Sequence, residues 1–233
     1  MASKDKIVAY FDFDGTLSTK DTFIPFIIYC LGYWGFLRKV PQLLRVAGFY
    51  ALKLIDNQEA KQRALTITLH NWPLVALEAK ARAFAYSHLN KYLKAPIYAK
   101  LEWHREQGHR LVVVSANLAI YLRYFASLHQ LDEVIATEIE QVEQRVSGKL
   151  ATKNCYGYEK VLRIKDYLLK NNLNFEYSYA YGNSRGDHEM LDFVDEPYYV
   201  VGDEFEPAPG QHPACTGSPC RTGSPGGPRI KNQ

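Results

Sequence analysis

The sequence predicts an α/β protein, a doubly wound core on a parallel sheet with an all-helical cap inserted into it. Three observations carry this prediction. Ile7–Phe11, Leu111–Val114 and Tyr177–Tyr181 are short, continuous apolar runs, as strands buried on both faces read, and each ends on small or acidic polar residues. Helical patterns occupy residues 95–107, 118–128 and 158–170, with Gly108 as a helix stop. Between about Thr19 and Lys94 no comparable strand occurs, only helical patterning with breaks near Gly32, Pro41, Asp56 and Pro73.

Along the chain, Lys4, Asp5 and Lys6 precede only five apolar residues before Asp12, so no secretory apolar region is expected. Four cysteines in 233 residues are too few for a disulfide framework, and Cys215 and Cys220 lack partners at zinc spacing. A reducing, cytoplasmic compartment follows as the expectation. After the first strand comes the cap, residues 19–94, whose stretch from Lys20 to Lys94 has 11 cations against four acids. The α/β core is assigned to residues 1–18 and 95–206. Within it, Val134–Ala151 alternates in part and contains Ser147-Gly148, which predicts a β-hairpin flap. Residues 207–233 hold six Pro and five Gly with one large aliphatic, Ile230, and are read as a disordered or non-native tail.

The densest chemistry closes the first strand, in Phe11–Leu17 (FDFDGTL). Two aspartates separated by one residue, at the mouth of a parallel sheet, put one carboxylate in the site while the turn brings the second beside it. Gly15 permits the tight exit. Such oxygens suit Mg2+, which takes few protein ligands and keeps several waters. They also suit covalent catalysis, with one Asp attacking phosphorus and the other protonating the leaving oxygen. Taken alone, the pair would equally serve as a solvated turn, Ser115 as a helix N-cap and Lys160 as a surface lysine.

Taken together, these residues resemble the haloacid dehalogenase superfamily of phosphohydrolases. Asp12–Leu17 matches its D-x-D-G-T-L motif, Ser115 in LVVVSAN its strand-closing Ser or Thr, Lys160 in NCYGYEKVLRI its helix-opening Lys, and Gly182–Asp187 its G-D-x-x-x-D. The order is right and the helical insertion falls between the first and second motifs; the resemblance covers residues 7 to about 201. It is closest to the phosphoserine-phosphatase-like branch with a helical cap, and within that to bacterial hydrolases of the phosphatidylglycerophosphatase C type, on DGTLSTKDTF, NCYGYEK and YGNSRGDHEML.

The resemblance implies Asp12 as nucleophile and Asp14 as general acid, then base. It implies phosphate binding by Ser115 and the following residues Ala116 and Asn117, with Lys160 balancing charge, and Mg2+ held by Asp12, Asp14, Asn183 and Asp187. Asn183 stands where the superfamily most often has Asp, which removes one charge from the metal shell. Asp21 matches an acid that phosphoserine phosphatases turn toward the substrate's amino group, or else it caps the first cap helix.

The expected function is therefore a Mg2+-dependent phosphomonoester hydrolase acting through an aspartyl-phosphate, on a lipid phosphate such as phosphatidylglycerophosphate. Two alternatives remain: a soluble phosphatase for phosphoserine or another small phosphomonoester, and a catalytically weak phosphate-binding homologue. Thr22–Leu37 runs 16 residues without a charge, short of the roughly 20 that span a bilayer. The basic, apolar segment after it predicts peripheral membrane contact at the inner face, or ordinary packing of the cap on the core. No nucleic-acid module or single basic groove is visible. A response-regulator-like module would not need the paired aspartates or the helical insertion.

Overall fold

The computed structural model describes residues 6–207. The tail beyond Pro207, including Cys215 and Cys220, and the residues before Lys6 lie outside them. The chain runs through β1 (Ile7–Phe11), α1 (Phe23–Ala51), α2 (Asn57–Leu69), α3 (Leu74–Ser87), a 3₁₀ turn at Leu89–Tyr92, α4 (Ala95–Glu106), β2 (Arg110–Leu118), α5 (Ala119–Leu128) and β3 (Glu133–Thr137). It continues through β4 (Ile139–Val142), β5 (Arg145–Leu150), α6 (Tyr158–Lys170), β6 (Tyr177–Gly182), a 3₁₀ turn at Arg185–Asp187, α7 (His188–Phe193), β7 (Glu196–Val201) and β8 (Glu204–Pro207).

The main sheet has the order β3-β2-β1-β6-β7-β8, parallel throughout except for β8. β1 lies between β2 and β6, with Phe11 level with Val113 on one side and Tyr181 on the other. This places the ends of the three predicted strands side by side. Their side chains alternate across the sheet: Ala9, Phe11, Leu111, Val113 and Tyr181 join the cluster under α4 and α5, while Val8, Tyr10, Val112 and Val114 face α6 and α7.

The helices α1 to α3 stand between β1 and β2 in sequence but have no separate core. Phe26, Ile27, Leu65, Leu77 and Phe84 belong to the same buried cluster as Phe11, Leu122 and Phe125. The Phe26 ring lies 5.3 Å from Phe84 and 4.7 Å from Tyr121, so α1 and α3 pack directly on α5. Asp56 begins α2 by accepting the Glu59 N–H at 2.7 Å, and Pro73 stands at the N-cap of α3.

Several expectations are corrected. Pro41 does not end a helix: it sits exposed within α1, where solvent can satisfy the carbonyl left without its N–H donor. The break is at Gly32, whose φ of 70° kinks α1. The hairpin covers β4 and β5 only, because Val134–Thr137 is an apolar run that pairs in parallel with β2 as part of the main sheet. Its turn is Glu143-Gln144, with φ of 48° and 62°, the left-handed pair that matches strand twist in a two-residue loop. Gly148, expected near the turn, lies in β5, where its carbonyl accepts from Thr66 Oγ1 of α2 at 3.1 Å. The hairpin is tied to the α2–α3 link by Asn71 N–H to Val146 O (2.8 Å), Val146 N–H to Trp72 O (2.9 Å) and Leu74 N–H to Gln144 O (2.8 Å). β7 and β8 were not anticipated; Pro197 and the tyrosines of EPYYVV obscure the strand pattern.

Candidate active site

The site is assembled at the carboxyl ends of β1, β2 and β6, where an open parallel sheet places its ligand crevice. Asp12 leaves β1 held by its N–H to the Tyr181 carbonyl at 2.9 Å, and its buried side chain turns to two partners. Oδ1 accepts from Lys160 Nζ at 2.7 Å and Oδ2 from Thr16 Oγ1 at 3.0 Å. Lys160, 1% exposed near the start of α6, also donates to Asp187 Oδ1 at 2.6 Å and Val114 O at 2.8 Å. All three of its N–H bonds are used, and one ammonium joins β1, β2, α6 and the turn after β6.

That turn is rigid. Asp187 Oδ2 accepts from Asn183 N–H (3.1 Å), Ser184 N–H (2.9 Å) and Ser184 Oγ (2.7 Å). Asn183 thereby comes against the Asp12 loop, its Oδ1 accepting from Thr16 Oγ1 at 3.1 Å. Gly15 makes room for it: φ is 81°, and a Cβ there would lie 2.2 Å from Asn183 Nδ2. Arg185 points to solvent.

Asp14 is held from the cap side. Its Oδ1 accepts from the Thr22 N–H at 2.9 Å and the Thr22 hydroxyl at 2.7 Å, and its Oδ2 accepts from Asn117 Nδ2. Ser115 is buried, and its Oγ accepts the Asn117 N–H at 3.0 Å. It is not a helix cap, since α5 begins at Ala119 behind Leu118. Asp21 is exposed at the entrance to α1, where its Oδ1 accepts the Phe23 N–H at 2.8 Å, yet it also lines the cavity.

Asp12, Asp14, Asp21, Ser115–Asn117, Lys160, Asn183 and Asp187 thus line one cavity of about 380 Å³. Every residue singled out in the sequence for chemistry is brought to it. One was missed. Lys61 of α2 enters from the cap and donates to Ala116 O at 2.5 Å and to Asn154 Oδ1 at 2.9 Å. Asn154 also accepts from Thr137 Oγ1 at 3.0 Å and donates to Asn57 Oδ1 at 2.7 Å, so it locks α2 against the end of β3. In the sequence Lys61 is one more cap cation; nothing local marks it.

Residues 9–192 match the profile of the haloacid dehalogenase-like hydrolases. The chain belongs to that family. It is 30% identical over 203 residues to the protein CicA of Caulobacter vibrioides strain NA1000 / CB15N, with 84% of this chain and 87% of CicA covered. Among solved structures, a protein of unknown function from Bordetella pertussis Tohama I superposes with a TM-score of 0.72 at 22% identity, covering 83% of this chain and 89% of that one. A phospho-aspartyl intermediate analogue of phosphoserine phosphatase superposes at 0.57 and 16% identity, covering 84% and 86%. The hydrolase fold with its mostly parallel sheet is therefore shared with phosphoserine phosphatases.

The electrostatics of this hydrolase site raise both lead carboxylates, Asp12 to about 6 and Asp14 to about 7. Burial pushes Asp14 up, and Asp21 adds to this against the Thr22 and Asn117 hydrogen bonds, bringing it to about 7. Burial and then Asp187 push Asp12 up too, but Lys160 opposes them. Burial alone would lower Lys160; Asp12 and Asp187 outweigh it and hold the ammonium above its ordinary value. Asp12 therefore faces a fixed cation while Asp14 sits where it can carry a proton near neutrality. Burial likewise lowers Lys61, to about 8.

Proposed function

We propose that this hydrolase is a Mg2+-dependent phosphomonoester phosphatase that forms an aspartyl-phosphate on Asp12. The observation that carries the reading is the pairing of Asp12 with Lys160 in a cavity that also presents Asp14 with a raised proton affinity. An Asp12 oxygen attacks phosphorus, the P–O bond to the alcohol breaks, and Asp14 gives that oxygen its proton. Asp14 then takes a proton from water as the water oxygen attacks phosphorus, and the new P–O bond releases Asp12 as carboxylate. Lys160 holds Asp12 in place and offsets the repulsion between carboxylate and phosphate dianion. Ser115, Ala116 and Asn117 line the cavity beside Asp12 and would bind the transferring oxygens.

The donor set suits Mg2+. Among the described residues no three acidic, His or Cys side chains form a metal cage. Asp12 Oδ2 and Asn183 Oδ1 nevertheless converge on the Thr16 hydroxyl, at 3.0 and 3.1 Å, and two hard oxygens with waters meet the ion's needs. Asp12 and Asn183 would hold it, with Asp14 and Asp187 beside them; when bound it supplies positive charge to the phosphoryl oxygens. Since Asn183 is neutral, Asn183→Asp is expected to lower the Mg2+ concentration that half-saturates activity. An unchanged or higher value in that titration removes Asn183 from the ion's ligands.

The substrate we propose is a lipid headgroup phosphate of the phosphatidylglycerophosphate type. Support comes from the resemblance of three motif blocks to phosphatidylglycerophosphatase C-type hydrolases and from the exposed apolar surface of α1. Asp21 at the cavity and the phosphoserine phosphatase fold neighbours favour a second reading, a soluble amino-acid or amino-alcohol phosphate. Hydrolysis of lipid phosphates and small phosphomonoesters, each with and without Mg2+, decides between them.

Asp14→Asn is expected to slow turnover by about 10² to 10⁴, least for aryl phosphates, whose leaving groups need no proton. The kcat/KM of the wild type should fall as pH rises above about 7, where Asp14 loses its proton, and also at low pH, as Asp12 gains one. A uniform loss across leaving groups, or no alkaline limb for an alkyl phosphate, contradicts the acid role.

A further inference from the structure

We propose that the outer face of α1 is a docking surface for an anionic lipid bilayer, lying in the interface and not crossing it. Beyond the Gly32 kink, α1 rests one side on α2, where Val46 is buried and Arg45, Phe49 and Arg63 border a groove. The opposite side is the apolar one. Tyr33, Leu37, Leu44, Gly48 and Ala51 follow the spacing of a single helical face, all exposed and without a charge among them. Tyr33 is 67% exposed, Leu44 65%, and the neighbouring Trp34 and Leu52 72% and 70%. Ordinary surface helices turn this stripe inward; here it is turned out.

Charge on the flanks selects the partner. Arg38 and Arg45, both exposed, stand on one edge of the stripe, while Lys39 is half-buried on the face of Val46; no acid occurs from Thr22 to Ile55. An apolar face bordered by cations, with Trp and Tyr near one end, is the composition that sits at the boundary of acyl chains and anionic headgroups. α1 is the one helix among the described residues long and apolar enough to cross a membrane by length and composition. Crossing is disfavoured by the three cations in its middle and by α2 along its flank, and both ends stay anchored, through Phe26, Ile27 and Cys30 at the start and Ile55 beyond the end. α1 begins at Phe23, which lines the catalytic cavity, so a docked bilayer would lie along the helix that leads to Asp12.

This deepens the lipid-phosphate reading and rests on it for the choice of partner, but it is tested separately. The full chain carrying Asp12→Asn, which cannot turn over lipid, is sedimented with vesicles of phosphatidylcholine alone or mixed with phosphatidylglycerol, at low and high salt. Binding to the mixed vesicles that weakens with salt is expected. Changing Arg38 and Arg45 together to Gln should weaken partition by about 25-fold, near fivefold for each cation. Leu37→Ser with Leu44→Ser should also release the protein. In the otherwise wild-type chain both sets should leave hydrolysis of a small soluble phosphomonoester unchanged, which shows that the fold and site are intact. Failure to bind any vesicle, a dimer in solution that buries this face, or binding that resists an alkaline carbonate wash as a spanning helix would, each overturns the proposal. Vesicle binding without hydrolysis of lipid phosphates leaves the docking surface standing and removes the lipid substrate.

Discussion

Asp12→Asn is expected to abolish phosphoryl transfer, lowering kcat by about 10⁴-fold or more, while leaving a folded protein. The amide has the size of the carboxylate but is a poor nucleophile, so the reaction loses the atom that attacks phosphorus. The fold should persist because Lys160 keeps two of its three acceptors, Asp187 at 2.6 Å and the Val114 carbonyl at 2.8 Å. Hydrolysis of an aryl phosphate, read beside circular dichroism and thermal melting, makes the comparison. A variant that keeps the wild-type rate, or a beryllium fluoride adduct trapped on another side chain, would show that Asp12 is not the nucleophile.

Lys160→Met should fail twice, in activity and in stability. Removing the ammonium leaves Asp12 and Asp187 buried without a cation, and breaking a buried pair in this way costs about 3–5 kcal/mol, against a typical total of about 5–15. Burial alone would raise Asp187, but Lys160 first and then Ser184 outweigh it and hold the carboxyl below its ordinary value. In the wild type the stability from Asp187 is therefore complete above the ordinary carboxylate range and lost as pH falls through its lowered value. In Lys160→Met the sign reverses, with stability falling as pH rises and the two unpaired carboxyls must ionise. Adding Asp187→Asn to Lys160→Met should recover part of the loss by neutralising one of them. Urea unfolding over a pH series measures all of this. A Lys160→Met protein within about 1 kcal/mol of wild type at neutral pH would mean that the ammonium does not hold the site together.

Much of the fold and most of the site were legible because their signals are local. A strand buried on both faces must be apolar throughout, so β1, β2 and β6 stand out, and the groups closing them stand out by contrast. A carboxylate nucleophile working on phosphate needs a second carboxylate and a cation, so Asp12, Asp14 and Lys160 can be sought by type and order. Strands away from the sheet's centre carry weaker marks: β7, between β6 and β8, contains Pro197 and partly buried tyrosines, and β3, at the edge, merges in sequence with the hairpin that follows. The hairpin turn went unrecognised because Glu143 and Gln144, unlike Asn or Gly, do not advertise a left-handed backbone.

What the sequence determined by itself is therefore the candidate groups: paired aspartates and a serine closing strands and a lysine opening a helix, with the roles that the family resemblance implies. What only the tertiary structure decided is which polar groups the cap contributes and which way its helices face. Lys61 is indistinguishable in sequence from the other cap cations, and becomes a cavity residue because α2 docks through Asn57 and Asn154. Thr22 orients Asp14 only because α1 and α5 bring it beside Asn117 and Tyr121, whose hydroxyl lies 3.0 Å from that of Thr22. Leu44 and Val46 are equally apolar in sequence, yet one is turned to solvent and the other is buried on α2. The physical reason is that reactivity belongs to a side chain and its near neighbours, whereas burial is a property of surfaces brought together from distant parts of the chain.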